Sequence, residues 1–335
     1  MKQPLRLLTL LLPVLIGLGA LVYAGTGTLF FVSLAKAVQD DEREGGSRSF
    51  TKLGALRSSE LREISGIARS SIYPESFWCH NDSGHPPRLY LVRQDGHVLA
   101  ECEITGARNA DWEDISSFEY GGVPYLAIGD IGDNRRRRDN VAVYLIREPD
   151  LELKSDERIQ FKTKLLHKVL LQYEDGPCDC EAMGVVGTTG ELFLIEKRQQ
   201  DRTSQNTGVY RLDLRPWLSG KLDRKKGGAT ELRRIAEIPI RNVTGMAFSK
   251  DSQKIIARDY LAAHLITLQP GKNWVKQLKR FDPKLVALPL ERQGEAICFD
   301  STGTAVITTS EFQGQPIWQV TLEDGSEKLD PPSRK

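Results

Sequence analysis

The 335-residue chain has five cysteines, an odd number, so complete internal pairing is excluded and with it a disulfide-scaffold fold. Cys178-x-Cys180 is not a zinc-knuckle spacing, and Cys79, Cys102, Cys178, Cys180 and Cys298 read as small buried hydrophobes, with a Cys79–Cys102 bridge left open. Charge of one sign is lacking too. Lys+Arg 46 against Asp+Glu 45 leaves +1, which gives no overall field for nucleic acid, so no nucleic-acid partner is expected. There is no Gly-x-Ser-x-Gly elbow, no phosphate-cradling Gly-rich loop and no His-Glu-x-x-His helix, which argues against a serine hydrolase, an NTPase motor and a zinc protease. His80, Asp82 and Ser83 lie close, but neighbours along one strand do not make a relay.

A single long apolar run is present. Lys2 and Arg6 precede a stretch from Leu7 to Leu34, and Ala35-Lys36-Ala37 supplies a small-x-small cleavage pattern. Residues 1–37 are therefore expected to be a signal peptide or an uncleaved membrane anchor, since about 18 to 25 apolar residues suffice to cross a bilayer. Either way the rest is expected outside the cytoplasm, periplasmic or extracellular. Residues 38–48 read as a polar linker, residues 49–325 as one domain and residues 326–335 as a polar tail.

Helical periodicity is hard to find after residue 50, while short β-rich runs bounded by Gly, Asp, Asn and Pro recur. Five of them begin alike, with an oxygen-bearing side chain, a small or acidic residue and then Ile or Met: Ser65-Gly66-Ile67, Glu113-Asp114-Ile115, Glu181-Ala182-Met183, Thr244-Gly245-Met246 and Glu295-Ala296-Ile297. They recur at intervals of 48, 68, 63 and 51 residues, each followed by further strands. The last unit lacks a fourth strand, which Phe50 to Leu56 is placed to supply. In the fourth unit, Val275 to Leu278 is the expected outer strand. The pattern predicts an all-β fold, a five-bladed β-propeller, with a sixth blade or an irregular β-sandwich as alternatives.

In a propeller the innermost strands converge on one axis, so Ser65, Glu113, Glu181, Thr244 and Glu295 are expected to form a ring. Three carboxylates so close repel one another unless a cation lies between them. An all-oxygen set favours a hard ion; Ca²⁺ takes about 6 to 8 oxygens. The second strands end toward the same mouth with Asn81, Asp82, Asp130, Asp133, Asn134, Glu196, Lys197, Arg198, Arg258, Tyr260 and Glu311. Asp82, Asp130, Glu196 and Glu311 are the candidate acids and bases. Asn81, Asp133, Asn134, Lys197, Arg258 and Tyr260 are the candidate ligand-binding residues. Mixed charge around a cation suits a small phosphate-bearing ligand, with hydrolysis as the fuller reading. The competing reading is a non-catalytic propeller, a monomer presenting its face to a ligand or protein, with a purely structural ion.

Ile64-Ser65-Gly66, His80-Asn81-Asp82-Ser83-Gly84, Asp111-Trp112-Glu113-Asp114-Ile115, Gly129-Asp130-Ile131-Gly132-Asp133-Asn134, Cys180-Glu181-Ala182 and Gly294-Glu295-Ala296 resemble a family of exported bacterial propellers grouped with phytase-associated esterase-like proteins. That resemblance implies the fold and the compartment. The ring order Ser, Glu, Glu, Thr, Glu is similar to that of the five-bladed calcium-activated nucleotidases, the apyrases, with one Ser-to-Thr exchange. It implies a central Ca²⁺ and leaves their base-stacking aromatics without counterparts here.

Overall fold

A computed structural model describes residues 50–153, 157–197, 206–220 and 228–322. The expected leader, linker and tail, and Arg198, lie outside these residues. Among the described residues, no helix is long and apolar enough to cross a membrane.

The fold is a β-propeller. Strand β1 (Phe50–Ala55) is set aside for closure. The first unit is β2 (Ile64–Arg69), β3 (Ser76–Asn81), β4 (Arg88–Arg93) and β5 (Val98–Thr105). The second takes β6 (Trp112–Tyr120), β7 (Val123–Asp130) and β8 (Val141–Arg147), skips β9 (Ile159–Lys164), and ends with β10 (His167–Tyr173). The third is β11 (Cys180–Val186), β12 (Glu191–Glu196), β13 (Thr207–Asp213), a one-turn helix α1 (Arg215–Leu218) and β14 (Thr230–Ile238). The fourth is β15 (Gly245–Phe248), β16 (Lys254–Arg258), β17 (Ala262–Thr267), helix α2 (Trp274–Arg280) and β18 (Lys284–Ala287). The fifth is β19 (Gly294–Phe299), β20 (Ala305–Ser310) and β21 (Pro316–Thr321), and β1 pairs antiparallel with β21 to complete it, as the sequence predicts. The inner strands neighbour one another in the closed order β2, β6, β11, β15, β19 and back to β2.

Burial follows from this order. Inner strands are covered on both faces, so Cys180–Val186 and Gly294–Phe299 are buried throughout. Outer strands see solvent on one face and alternate, as in Ile159–Lys164 and His167–Tyr173. The apolar side chains gather in five clusters, one between each pair of adjacent sheets: Trp78 with Ile128, Val143 with Met183, Phe193 with Met246, Ile256 with Phe299, and Ile67 with Ile307. At the closure, the turn between β4 and β5 presses on β1. Gly96 sits there at φ 89°, and a Cβ would come within 1.7 Å of the Ala55 carbonyl oxygen, so only glycine fits.

Two features depart from the expected pattern. Val275 to Leu278 is not an outer strand but the middle of α2, because Asn273 caps it by accepting from the Lys276 amide and Trp274 and Leu278 fall on one buried face. Lys284–Ala287 is the outer strand instead. Strand β9 adds parallel to β5, and β10 pairs parallel with β14, so the second and third blades share one continuous sheet. The five cysteines are buried, as expected of small hydrophobes, and all are free, so the bridge left open between Cys79 and Cys102 does not form.

Candidate functional site

Four of the five blades enter their inner strand through the same local irregularity. The β2/β3 pairing skips from Ile64 to Gly66, β6/β7 from Trp112 to Asp114, β11/β12 from Cys180 to Ala182, and β19/β20 from Gly294 to Ala296. The skipped residues are Ser65, Glu113, Glu181 and Glu295. A bulge leaves its extra residue out of the ladder and re-aims the side chain, which is how one position is turned toward the axis from four blades. Thr244 stands just before β15, its amide donating to the Arg258 carbonyl. All five are buried.

The five are not equivalent in their contacts. Ser65 Oγ donates to the Glu113 carbonyl at 2.6 Å and lies 3.3 Å from Glu113 Oε2, while Thr244 Oγ1 donates to the Gly294 carbonyl at 3.2 Å. Both hydroxyls thus tie one blade to the next. Glu181 is ion-paired with Lys197 Nζ, which also sits 5.3 Å from the Tyr260 ring centre. Glu295 receives Gln293 Nε2 at 3.3 Å and the Tyr260 hydroxyl at 3.4 Å. Glu113 instead meets Asp82 and Asp111, with one ligand oxygen from each lying within 4.8 Å of the others. Among the described residues none of these three carboxylates has a Lys or Arg hydrogen-bonded to it. Gly132 makes the space: a Cβ there would fall 2.1 Å from Glu113 Oε1 and 2.7 Å from Asp111 Oδ2.

Electrostatics follow the crowding. Burial, then Glu181, Asp82, Asp111 and Glu295, push the Glu113 carboxyl well above the usual carboxylate range. Burial raises Asp82 to about 6, with Asp111, Glu295 and Glu63 adding to it against the Ser83 amide. Burial also raises Glu181 to about 8; Lys197 pulls it back, but Glu295 and Asp179 oppose that pull. Glu311 stands at about 8 through burial and the adjacent Glu295. The site is therefore a crowded acidic cluster with one ammonium, Lys197, in contact with it, and its charge favours a cation.

The remaining predicted residues divide by strand register. Asp82, Lys197 and Glu311 each follow the last residue of a second strand, and their amides donate to Glu63, Asp179 and Gln293 beside the ring. Asp130 and Glu196 lie one residue earlier, buried and in ion pairs with Arg138 at 2.7 Å and Arg136 at 3.3 Å. Asn81 holds the preceding loop, accepting from the Arg62 and Glu63 amides and donating to Glu60. Asp133 accepts from the Arg138 amide and donates its own amide to Asp179, while Asn134 is exposed. His80 is buried edge-on against Trp112, and burial lowers it to about 4, so it remains neutral and outside any relay.

Arg258 is fully buried, paired with Glu291 at 2.9 Å and bonded to Thr308 and the Ala296 carbonyl. Its place is between the fourth and fifth blades. Arg258→Met is expected to cost about 3 kcal/mol or more by leaving the Glu291 charge buried with only the Thr308 hydroxyl donating to it, with cation affinity unchanged; weakened ligand binding at an unchanged melting temperature would return Arg258 to the mouth.

Sequence reasoning missed Asp111, Gly132 and Asp114 as site residues, although all three stand in the quoted motifs. Asp114 joins three inner strands: its carboxylate accepts the amides of Ile115 at 2.8 Å, Met183 at 2.8 Å and Met246 at 3.1 Å. Burial raises it well above the usual range against the pull of these three donors.

No protein-family model and no curated protein sequence matches the chain. Among solved structures it is similar to a glucose dehydrogenase (11% identity, TM-score 0.43, covering 82% of this chain and 99% of that one). It is also similar to the apo-form soluble aldose sugar dehydrogenase of Escherichia coli (10% identity, TM-score 0.45, 82% and 99%). A third is the Pan2 WD40 domain of Neurospora crassa (11% identity, TM-score 0.38, 82% and 96%). Likenesses this weak concern chain architecture alone, and the strand order above stands without them.

Proposed function

We propose that this chain is an exported β-propeller that binds Ca²⁺ through Asp82, Asp111 and Glu113, and with it a small phosphate-bearing molecule, which it hydrolyses. The observation that carries the reading is the convergence of three carboxylates without a hydrogen-bonded Lys or Arg, around a space that Gly132 keeps free. The neighbouring carboxylates Asp130, Glu196 and Glu181 do have such partners, in Arg138, Arg136 and Lys197. An all-oxygen donor set with waters completing the shell fits Ca²⁺. When bound, the ion neutralises the acidic mouth and polarises a phosphoryl oxygen.

The chain's own groups supply the rest. Asp82 is committed to the ion, and Glu311, raised to about 8, is the group placed to exchange a proton with water near neutral pH. Lys197, held by Glu181 and Tyr260, supplies an ammonium beside the ring. Because the mouth is otherwise acidic, an anion enters only with a cation, and phosphate binding should vanish on chelation.

The test is calorimetric titration of Ca²⁺ into metal-stripped protein, followed by phosphate release from a panel of phosphoesters. Asp82→Asn, Glu113→Gln and Gly132→Ala are each expected to weaken Ca²⁺ at least tenfold with the fold retained, and to abolish Ca²⁺-dependent phosphate release. If chelation lowers only the melting temperature and Asp82→Asn changes nothing, the ion is a staple and the propeller a non-catalytic binding module.

A further inference from the structure

The other end of the hub has opposite chemistry. Inner strands run from the acidic mouth to a second opening, where a cavity of about 30 Å³ is lined by Arg69, Ser117, Phe248, Lys250 and Asp300. An adjoining cavity, also about 30 Å³, shares Arg69, Ser117, Phe248 and Lys250 and adds Ser71 and the exposed Glu119. Arg69 Nη1 donates to the neighbouring Ser70 carbonyl, and among the described residues neither Arg69 nor Lys250 forms an ion pair. The one acid in the first cavity is committed elsewhere: Asp300 accepts from Thr302 Oγ1 at 2.6 Å and from the Thr304 and Ala305 amides at 3.0 and 3.1 Å. The Ser71 and Ser117 hydroxyls have no hydrogen-bond partner among the described residues. The charge of Arg69 reaches inward, since it pulls down the Cys298 thiol that burial raises.

We propose that this end of the hub binds a small hydroxylated carboxylic acid, its carboxylate between Arg69 and Lys250 and a hydroxyl against Ser71 or Ser117. A guanidinium fork matches a carboxylate's two oxygens, and a second cation without a partner completes the neutralisation. About 30 Å³ accommodates roughly two water-sized atoms, which suits the two oxygens of one carboxylate, with the adjoining cavity left for the hydroxyl end. The site is separate from the mouth and independent of the calcium reading.

The probe is lactate, titrated calorimetrically into metal-stripped full-length protein at constant ionic strength set with sodium chloride, with arginine modification by phenylglyoxal as a second readout. Lactate should bind and shield Arg69. Arg69→Gln and Lys250→Gln should each weaken binding at least fivefold, and together abolish it, while Asp82→Asn leaves it unchanged. Absence of lactate binding by the wild type, or equal binding by the double variant, overturns the proposal. Should Arg69→Gln fail to fold, modification of Arg69 in the wild type at the same rate with and without lactate overturns it equally.

Discussion

Asp114→Ala is expected to destabilise the protein by about 3 to 6 kcal/mol, lowering the melting temperature by about 8 to 15 °C, at a position that touches neither the cation cluster nor solvent. The carboxylate is completely buried, and its three donors come from three strands, β6, β11 and β15. Inner strands present amides to the channel that no neighbouring strand can pair. Asp114 accepts two of them from other blades and so fastens the second, third and fourth blades to a common point. Removing it leaves buried N–H groups without partners, each costing about 1 to 3 kcal/mol. Asp114→Asn keeps one oxygen for Met183 and Met246 but turns an NH₂ toward the Ile115 amide, so about 1 to 3 kcal/mol is expected. Thermal melts of both variants in chelator check the ranking. A loss under about 1 kcal/mol for alanine would mean that water replaces the carboxylate and the staple is dispensable.

The same residue shows where reading the sequence stops. The repeated corner made the propeller, its closure by Phe50–Ala55 and the burial of five matching oxygens legible, because strand period and turn composition are local properties. Which way each acid points is not local. Successive residues of a strand face opposite sides, so Asp82, Lys197 and Glu311 approach the ring, whereas Asn81, Asp130, Glu196 and Arg258, one position earlier, bond to loops and neighbouring blades. That one-residue difference is fixed by the bulges, which appear only once both strands of a pair are known. Asp111 was hidden for a related reason: it lies two residues before Glu113 and joins it only because Gly132, from the next strand's end, has no side chain in the way. Helix α2 replaced an expected strand because four apolar-polar residues are too few to separate the two periods.

Metal-stripped protein is expected to lose stability as pH rises from about 5.5 to 8.5, by of order 5 °C or more in melting temperature, and saturating Ca²⁺ should remove most of that slope. The sign follows from which state holds protons more tightly. A carboxyl raised on folding is protonated in both states below its ordinary range near 4; above it the unfolded chain releases the proton first. Folding then binds protons, so stability is fullest at low pH and falls until the folded group also ionises: about 6 for Asp82, about 8 for Glu181 and Glu311, with Glu113 raised further. Carboxylates lowered by arginine, Asp95 at about 2 and Asp213, act in the opposite sense but finish below pH 5, outside the window. Asp114 is raised as well, yet it lies apart from the cluster, so its share of the slope should persist with Ca²⁺ bound. The difference between the two curves therefore isolates the mouth. Ca²⁺ affinity should rise over the same range, because the ion displaces the protons that the acidic cluster retains. Melting curves and Ca²⁺ titrations at four pH values suffice: parallel curves with and without Ca²⁺, or a stripped protein that gains stability toward pH 8.5, would mean that no ion binds at the acidic mouth.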